Sequence, residues 1–485
     1  MKQKTKISKD LAENLQVIKD QIDGPKTFDF VNRDFKIAGK NASIVFVDGF
    51  QKSKLMGRVL EYLMDLKRED LSVDIVKKLI EDRIPVLEVA TADTIEGVMD
   101  QVLAGPQALF IDGVEQAIII DARTWMSRGL SEPELEKSTR GPEDGFIETM
   151  LFNVKRIRRR IRDPKLRVEA LRVGNRGKTD IAVTYIEDIA EPSLVKKVKQ
   201  KLEDIEVDAL PLADRTIQDF LTGTSFNPLP KVRYTNRPDI ASAQLLEGKV
   251  CVIVDGSPTV LILPATFFDQ TQAIEDYRHS FLAGSYLKMI KFVSVFLSLV
   301  IPPLWLIFAY SPEWLPPGLE FIGIKQPGKV PIGVQFLLAS LGIDLIQVAS
   351  VQVPSSLATS LGLIGALMLG QFSVKVGLFS PETILYMAIG AIGNFAIPGF
   401  ELAMAFKVFR FALLLLAIYF RIPGLLIGLA ILFLLMAFTK SFGVPYLWPL
   451  IPFNWNALKT YLFRQPILKL SDRRPKFSDD DETRK

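Results

Sequence analysis

The stretch Val330–Pro354 is apolar enough to enter a bilayer, yet Ser340, Asp344, Gln347 and Val351 recur in it at i, i+4, i+7 and i+11. A helix gathers these positions on one face, and Gln335 adds a further amide near its start. A carboxylate at mid-bilayer costs at least ~2.5 kcal/mol, so Asp344 is expected to face protein or water rather than lipid. Repeated round the axis of a symmetric oligomer, that face would stack polar rings, the usual construction of a cation-selective constriction. A polar contact inside a helix bundle accounts for the same pattern without a pore.

Other chemistries are poorly supplied. One cysteine, Cys251, excludes an intrachain disulfide and a CxxC redox site, and one histidine, His279, excludes a two-histidine metal motif. No glycine-rich phosphate-binding motif occurs. The expectation is a protein that is no enzyme, with no cofactor and no metal.

The elements that must carry the polar face lie in the last two-fifths of the chain. Phe292–Pro312, Leu345–Val374 and Thr383–Phe400 are free of charge, and a span needs roughly 20 apolar residues. The first window should bend near Pro302–Pro303 and place Trp305, Tyr310 and Trp314 in an interfacial belt. Residues 411–439 read as one long helix or as a hairpin turning at Arg421-Ile-Pro423-Gly424. Arg278, Lys288 and Lys291 precede the spans, and Lys440, Lys459, Arg464, Lys469, Arg473 and Arg474 follow them. Both ends are therefore expected in the cytoplasm, with an even number of crossings, four to six. Gly362, Gly365 and Gly370 are expected to let helices pack closely.

The first 280 residues alternate β-rich runs with helical patterns, as in an α/β or α+β arrangement. Three apolar runs end in Asp-Gly, at Asp48-Gly49, Asp112-Gly113 and Asp255-Gly256, and the last two continue into a second apolar run. Asp-Gly between apolar runs signals a hairpin, because both residues tolerate the left-handed backbone. Two subdomains follow, joined by the charged, turn-rich stretch 131–145. Residues 155–162 hold six basic side chains in eight positions. Anionic lipid and the acids of the same domain are the expected partners of this run; nucleic acid is not.

Several short stretches, in this order, resemble one family. They are Arg140-Gly141-Pro142 with Gly145-Phe-Ile-Glu148 and Asn153; Val173-Gly174; Tyr185-Ile186; Asn236-Arg237-Pro238-Asp239; Gly248-Lys-Val250 with Asp255-Gly256; Glu275-Asp276-Tyr277; Leu361–Gly365 with Gly370-Gln371; and Ser441–Tyr446. They resemble the A subunits of spore germinant receptors, the GerA family, over roughly 130–449. The resemblance implies a multipass protein of the inner spore membrane acting in germination. It also implies a pentameric ion channel that passes monovalent cations, with permease-like and lipoprotein subunits as partners. At the polar helix the sequence departs from receptor subunits, which carry several acids there; here Gln335, Ser340, Gln347 and Val348 stand at such positions and only Asp344 is acidic. This looks most like the stage V sporulation AF branch, whose members resemble accessory channels with a small two-helix membrane partner.

The expected architecture is an α/β (α+β) two-subdomain cytoplasmic region followed by an all-α membrane domain. Its parts are an N-terminal segment (1–29), subdomains at 30–140 and 141–280, the membrane domain at 281–450 and a charged tail at 451–485. The leading functional reading is a homo-oligomeric cation channel; a nutrient-receptor subunit and a non-conducting membrane scaffold are the alternatives.

Overall fold

The computed structural model describes residues 5–71, 74–123, 136, 139–223, 226–315, 317–353 and 355–465. Pro354, residues 131–135 and 137–138 of the 131–145 linker, and the tail bases Lys469, Arg473 and Arg474 lie outside them. The chain forms two compact units, one from 1–224 and 234–264, the other from 225–233 and 265–469.

The first unit contains two five-stranded sheets. Strands β1 (Phe30–Ile37), β2 (Lys40–Val47), β3 (Val89–Ala92), β4 (Gln107–Ile111) and β5 (Ala117–Ile120) pair in the order β1-β2-β4-β5-β3, antiparallel throughout. Strands β6 (Leu166–Val173), β7 (Thr179–Ile186), β8 (Arg233–Thr235), β9 (Val250–Val254) and β10 (Val260–Leu263) pair in the order β6-β7-β9-β10-β8. The second order is the first with every strand number raised by five, so the two subdomains share one topology.

The helices repeat too. In the first subdomain α1 (Leu11–Ile22) precedes the sheet, α2 (Ser53–Met64) follows β2 and α3 (Ile95–Leu103) follows β3. In the second, α4 (Met150–Arg160) precedes the sheet, α5 (Pro192–Glu203) and α6 (Ala213–Thr222) follow β7, and α7 (Pro238–Leu245) follows β8. Alternation along the strands sends Val45, Phe110 and Ile119 to a core shared with α1 and α3, and Ile44, Leu109 and Ile118 to one shared with α2. Both faces of the first sheet are thus covered, which is why β5 is apolar throughout and β4 is apolar from Ala108 on.

The aspartate of each β-hairpin reaches back to the leading helix of its own subdomain. Asp112 accepts from the backbone N–H of Leu11 at 3.4 Å, and Asp255 from that of Met150 at 2.9 Å. Gly113 and Gly256, at φ +85° and +86°, donate their N–H groups to the carbonyls of Lys9 and Glu148. Asn14 and Asn153 each bracket the approach, exchanging two hydrogen bonds with the backbone of Ser8 and of Ile147.

The second unit is helical. Helix α8 (Phe281–Leu299) ends at Val300, and α9 (Ile301–Tyr310) resumes with Pro302 and Pro303 in its first turn, where a missing N–H costs nothing. Then come α10 (Ile332–Gln352), α11 (Ser355–Ala366), which passes into a π-helical stretch at Leu367–Phe372, α12 (Pro381–Phe395) and α13 (Phe400–Phe438). Among the described residues three helices are long and apolar enough to cross a membrane, α8, α10 and α13.

Helix α13 is a hairpin rather than one rod. Arg421 has φ 54° and ψ −136°, outside the helical region. A Cβ on Gly424 would lie 2.2 Å from the carbonyl oxygen of Leu416, and one on Gly428 2.5 Å from Leu413 Cδ2. Residues eight and fifteen apart cannot touch in a straight helix rising 1.5 Å per residue; here they do, because 422–438 runs back along 400–420. At the turn the guanidinium of Arg421 sits 3.4 Å from the ring centre of Tyr310. At the other end Gly399 packs on Gln270, and Thr439 accepts from Asn227 Nδ2 at 2.7 Å.

Trp305 is 3% exposed, stacked between Tyr386 and Phe336 at ring separations of 4.7 and 5.6 Å, with its Nε1–H on the carbonyl of Ile322. Two neighbouring aromatic rings and a carbonyl thus make Trp305 a core residue rather than one facing lipid.

Candidate functional site

Ser340, Asp344, Gln347 and Val351 all line one groove of about 510 Å³ between α10 and the 400–420 arm of α13. Helical spacing on α10 brings them to one side; Met404, Lys407 and Val408 form part of the opposite wall. Ser340 is buried, the Asp344 side chain is 39% exposed and Val351 is 81% exposed.

Gln335 stands apart from this group. It is buried, its Nε2 donates to the carbonyl of Val330 at 2.7 Å, and its Oε1 accepts from Ser380 N at 2.8 Å and Thr383 Oγ1 at 3.0 Å. These bonds join the start of α10 to the N-cap of α12, since Ser380 also accepts from Thr383 N. Of the three glycines, Gly365 packs on Ile346 of α10, where a Cβ would come within 2.4 Å of Cδ1, whereas Gly362 and Gly370 have nothing within 4 Å among the described residues.

Asp344 has a partner that sequence reading missed. Lys407 donates from Nζ to Asp344 Oδ1 at 2.8 Å and also to Gln347 Oε1, and its own side chain is only 9% exposed. One turn on, Arg410 is fully buried, donates from Nη1 to the carbonyl of Gly390 at 3.2 Å and leaves Nε without a partner among the described residues. The signal for this existed: two cations three residues apart on a long apolar helix require compensation. The sequence separation of 63 residues concealed which acid supplies it.

The family-like motifs of the first unit meet one another. Arg237 forms a two-bond pair with Asp239 at 2.9 and 3.1 Å and donates to the carbonyl of Pro142 at 3.0 Å; Phe146 N donates to the carbonyl of Asn236 at 2.7 Å. Pro238 opens α7, Gly141 takes φ +109°, and Arg140 is exposed. Together these residues fasten the stretch before α4 to the start of α7.

The basic run on α4 turns inward. Arg158 pairs with Asp29 through two bonds at 2.9 and 3.0 Å, Arg160 with Asp144 at 2.7 Å, and Lys155 donates to the carbonyl of Gly49. Arg156 and Lys155 are both buried, and burial holds both below their ordinary pKa. Of the partners considered, the acids of the same unit account for Arg158 and Arg160. Among the described residues no three His, Cys, Asp or Glu side chains are grouped closely enough to hold a metal ion.

Comparison with known proteins matches residues 16–477 to the family described as Bacillus/Clostridium GerA spore germination protein. Stage V sporulation protein AF of Bacillus subtilis (strain 168) is 39% identical over 462 residues, 95% of this chain and 94% of that protein. Spore germination protein KA of the same organism is 30% identical over 487 residues, 99% of this chain and 88% of that protein. The crystal structure of the N-terminal domain of the A subunit of the Bacillus megaterium spore germinant receptor GerK3 is 27% identical, with a TM-score of 0.43, over 55% of this chain and 99% of that one. With the match spanning both the paired sheets and the helical unit, the chain belongs to the GerA family of spore germination membrane proteins.

Proposed function

We propose that this protein is a subunit of a homo-oligomeric, pentameric cation channel that releases monovalent cations from the spore core during germination. One observation supports this reading above others. On a helix whose one charge is Asp344, Ser340, Asp344 and Gln347 present oxygen atoms along a single groove that no part of the described chain fills. Lipid would penalise such a strip, whereas water and ions in a pore would not.

On this reading α10 is the pore helix, and α8–α9, α10, α11 with its π-helical extension, α12 and the two arms of α13 make six crossings. Six crossings return both ends of the domain to one side, taken as the cytoplasmic side of the inner spore membrane because Lys and Arg flank it there. The domain organisation proposed is two cytoplasmic subdomains, 30–140 and 141–280, a membrane domain, 281–450, and a tail, 451–485. Lipid, further copies of the chain, receptor subunits and a small two-helix membrane protein are the proposed partners; no enzymatic role is proposed.

The test is ion flux from vesicles holding the purified full-length protein, wild type against Asp344→Ala and Asp344→Lys. Potassium release by wild type and altered release by both variants is expected. Absence of release by the wild type would remove the channel reading, and identical release by all three would remove Asp344 from it.

A further inference from the structure

The channel reading makes Asp344 a bare carboxylate repeated round a ring, but the geometry gives it company. Among the residues lining the groove, Asp344 and Lys407 alone are charged. Their atoms lie 2.8 Å apart, so each subunit contributes a dipole in place of a single charge. The dipole has a direction. Lys407 comes from the walled side, 9% exposed and held by Gln347 as well, while the Asp344 side chain is 39% exposed. The ammonium takes Oδ1, and the carboxylate is the more exposed member of the pair. Arg410 adds nothing to the groove surface, because it is buried and turned to the carbonyl of Gly390.

Resting on the channel reading, we infer that Lys407 is a specificity-determining residue, which sets the cation-to-anion preference of the pore by partly cancelling the Asp344 charge. The field of a paired charge falls off faster with distance than that of a single one, so a passing ion feels only the excess of the nearer carboxylate. The wild-type preference for cations is accordingly modest. Removing the ammonium leaves Asp344 as the one charge on the groove, countered only by the buried Arg410; removing the carboxylate leaves a cation on the groove, fixed by Gln347. The same pair of helices thus yields either sign of selectivity from single substitutions.

The experiment is the reversal potential across vesicle membranes holding the full-length protein under a potassium chloride gradient. Lys407→Gln should raise the potassium-to-chloride permeability ratio by about tenfold, the lower end of what focused charge does to local ion concentration. Asp344→Asn should lower it below the wild-type value. Because either single change can weaken the joint between α10 and α13, the double variant Asp344→Lys with Lys407→Asp is measured beside them. It keeps a pair and should shift the ratio toward chloride, while Lys407→Arg should leave the ratio within about twofold of wild type. A conducting wild type whose ratio is the same in Lys407→Gln and in the exchanged pair would overturn the inference and leave the channel standing. A wild type that does not conduct would overturn both.

Discussion

Asp255 holds the backbone N–H of Met150 at 2.9 Å, capping from a β-hairpin 105 residues away a helix whose own N-cap, Thr149, makes no side-chain bond. Asp112 and Leu11 repeat the relationship at 3.4 Å, but there Asp10 also caps α1 through the N–H groups of Ala12 and Glu13. The two subdomains therefore depend unequally on the same device. Asp255→Ala should cost about 1 kcal/mol and Asp112→Ala clearly less. Thermal unfolding of the detergent-solubilised full chain, comparing the two variants, checks the difference.

The Arg158–Asp29 pair, 2% and 1% exposed, joins the two subdomains. Removing either partner alone leaves a buried charge without compensation, and Arg158→Met or Asp29→Ala should each destabilise by about 3–5 kcal/mol. The double variant should recover a large part of that loss. Limited proteolysis of the full chain, which reports opening of this unit directly, is the measurement.

Four ionisable groups meet beside α1. Burial pushes the Glu187 carboxyl up, but its bonds to Arg167 and Lys26 outweigh this and hold it below its ordinary value. The bond to Lys26 likewise holds Asp23 down against burial. A depressed carboxyl pKa contributes stability that is present above the unfolded value, near 4.5 for Glu and 3.8 for Asp, and lost as pH falls through the folded value. Wild-type melting temperature should therefore drop between about pH 5 and pH 3 more steeply than that of Glu187→Gln.

Cys251 is fully buried in β9, and burial pushes its thiol up to about 12. A raised thiol pKa means stability present below the unfolded value near 9 and lost as pH rises toward 12. The folded chain should resist a thiol reagent at pH 8, reacting only on addition of denaturant. Rapid labelling of the native chain would contradict the buried position.

Glycines in the helical unit should separate into two groups. Gly424→Ala would drive a Cβ to 2.2 Å from a carbonyl oxygen, and Gly428→Leu would collide with Leu413; both should sharply lower the yield of folded protein. Gly362→Ala and Gly370→Ala meet open space within the chain and should unfold within about 0.5 kcal/mol of wild type. Loss of assembly in these two, with the single chain intact, would place them between subunits. Size-exclusion elution with thermal melts distinguishes the cases.

The α/β and helical halves were legible because local pattern determines them. Asp112-Gly113 and Asp255-Gly256 do turn β4 into β5 and β9 into β10, and the 3.6-residue period did collect Ser340, Asp344, Gln347 and Val351 on one groove. The common topology of the two sheets was not legible, because only short echoes of apolar residues survive between them. Pairing with acids of the same domain was among the expectations for the basic run, but which acid receives Arg158 was not legible, since the run reads the same whether Asp29 or lipid meets it. Lys407 escaped for the same reason: a pair formed between α10 and α13 leaves no trace in the spacing of either helix.

The reversal at Arg421 also bears on how the last helices enter a bilayer. Gly399 and Thr439, at the two ends of the 39-residue segment, lie at the same end of the bundle, so on the proposed six-crossing topology its insertion would carry neither terminus across. The charge at its turning point is one guanidinium, and the face of Tyr310 is in place to receive it. A second charge at Tyr419 or Ile422 would double the burden carried by the turn, and the hairpin would then be expected to stall during biogenesis rather than to unfold afterwards.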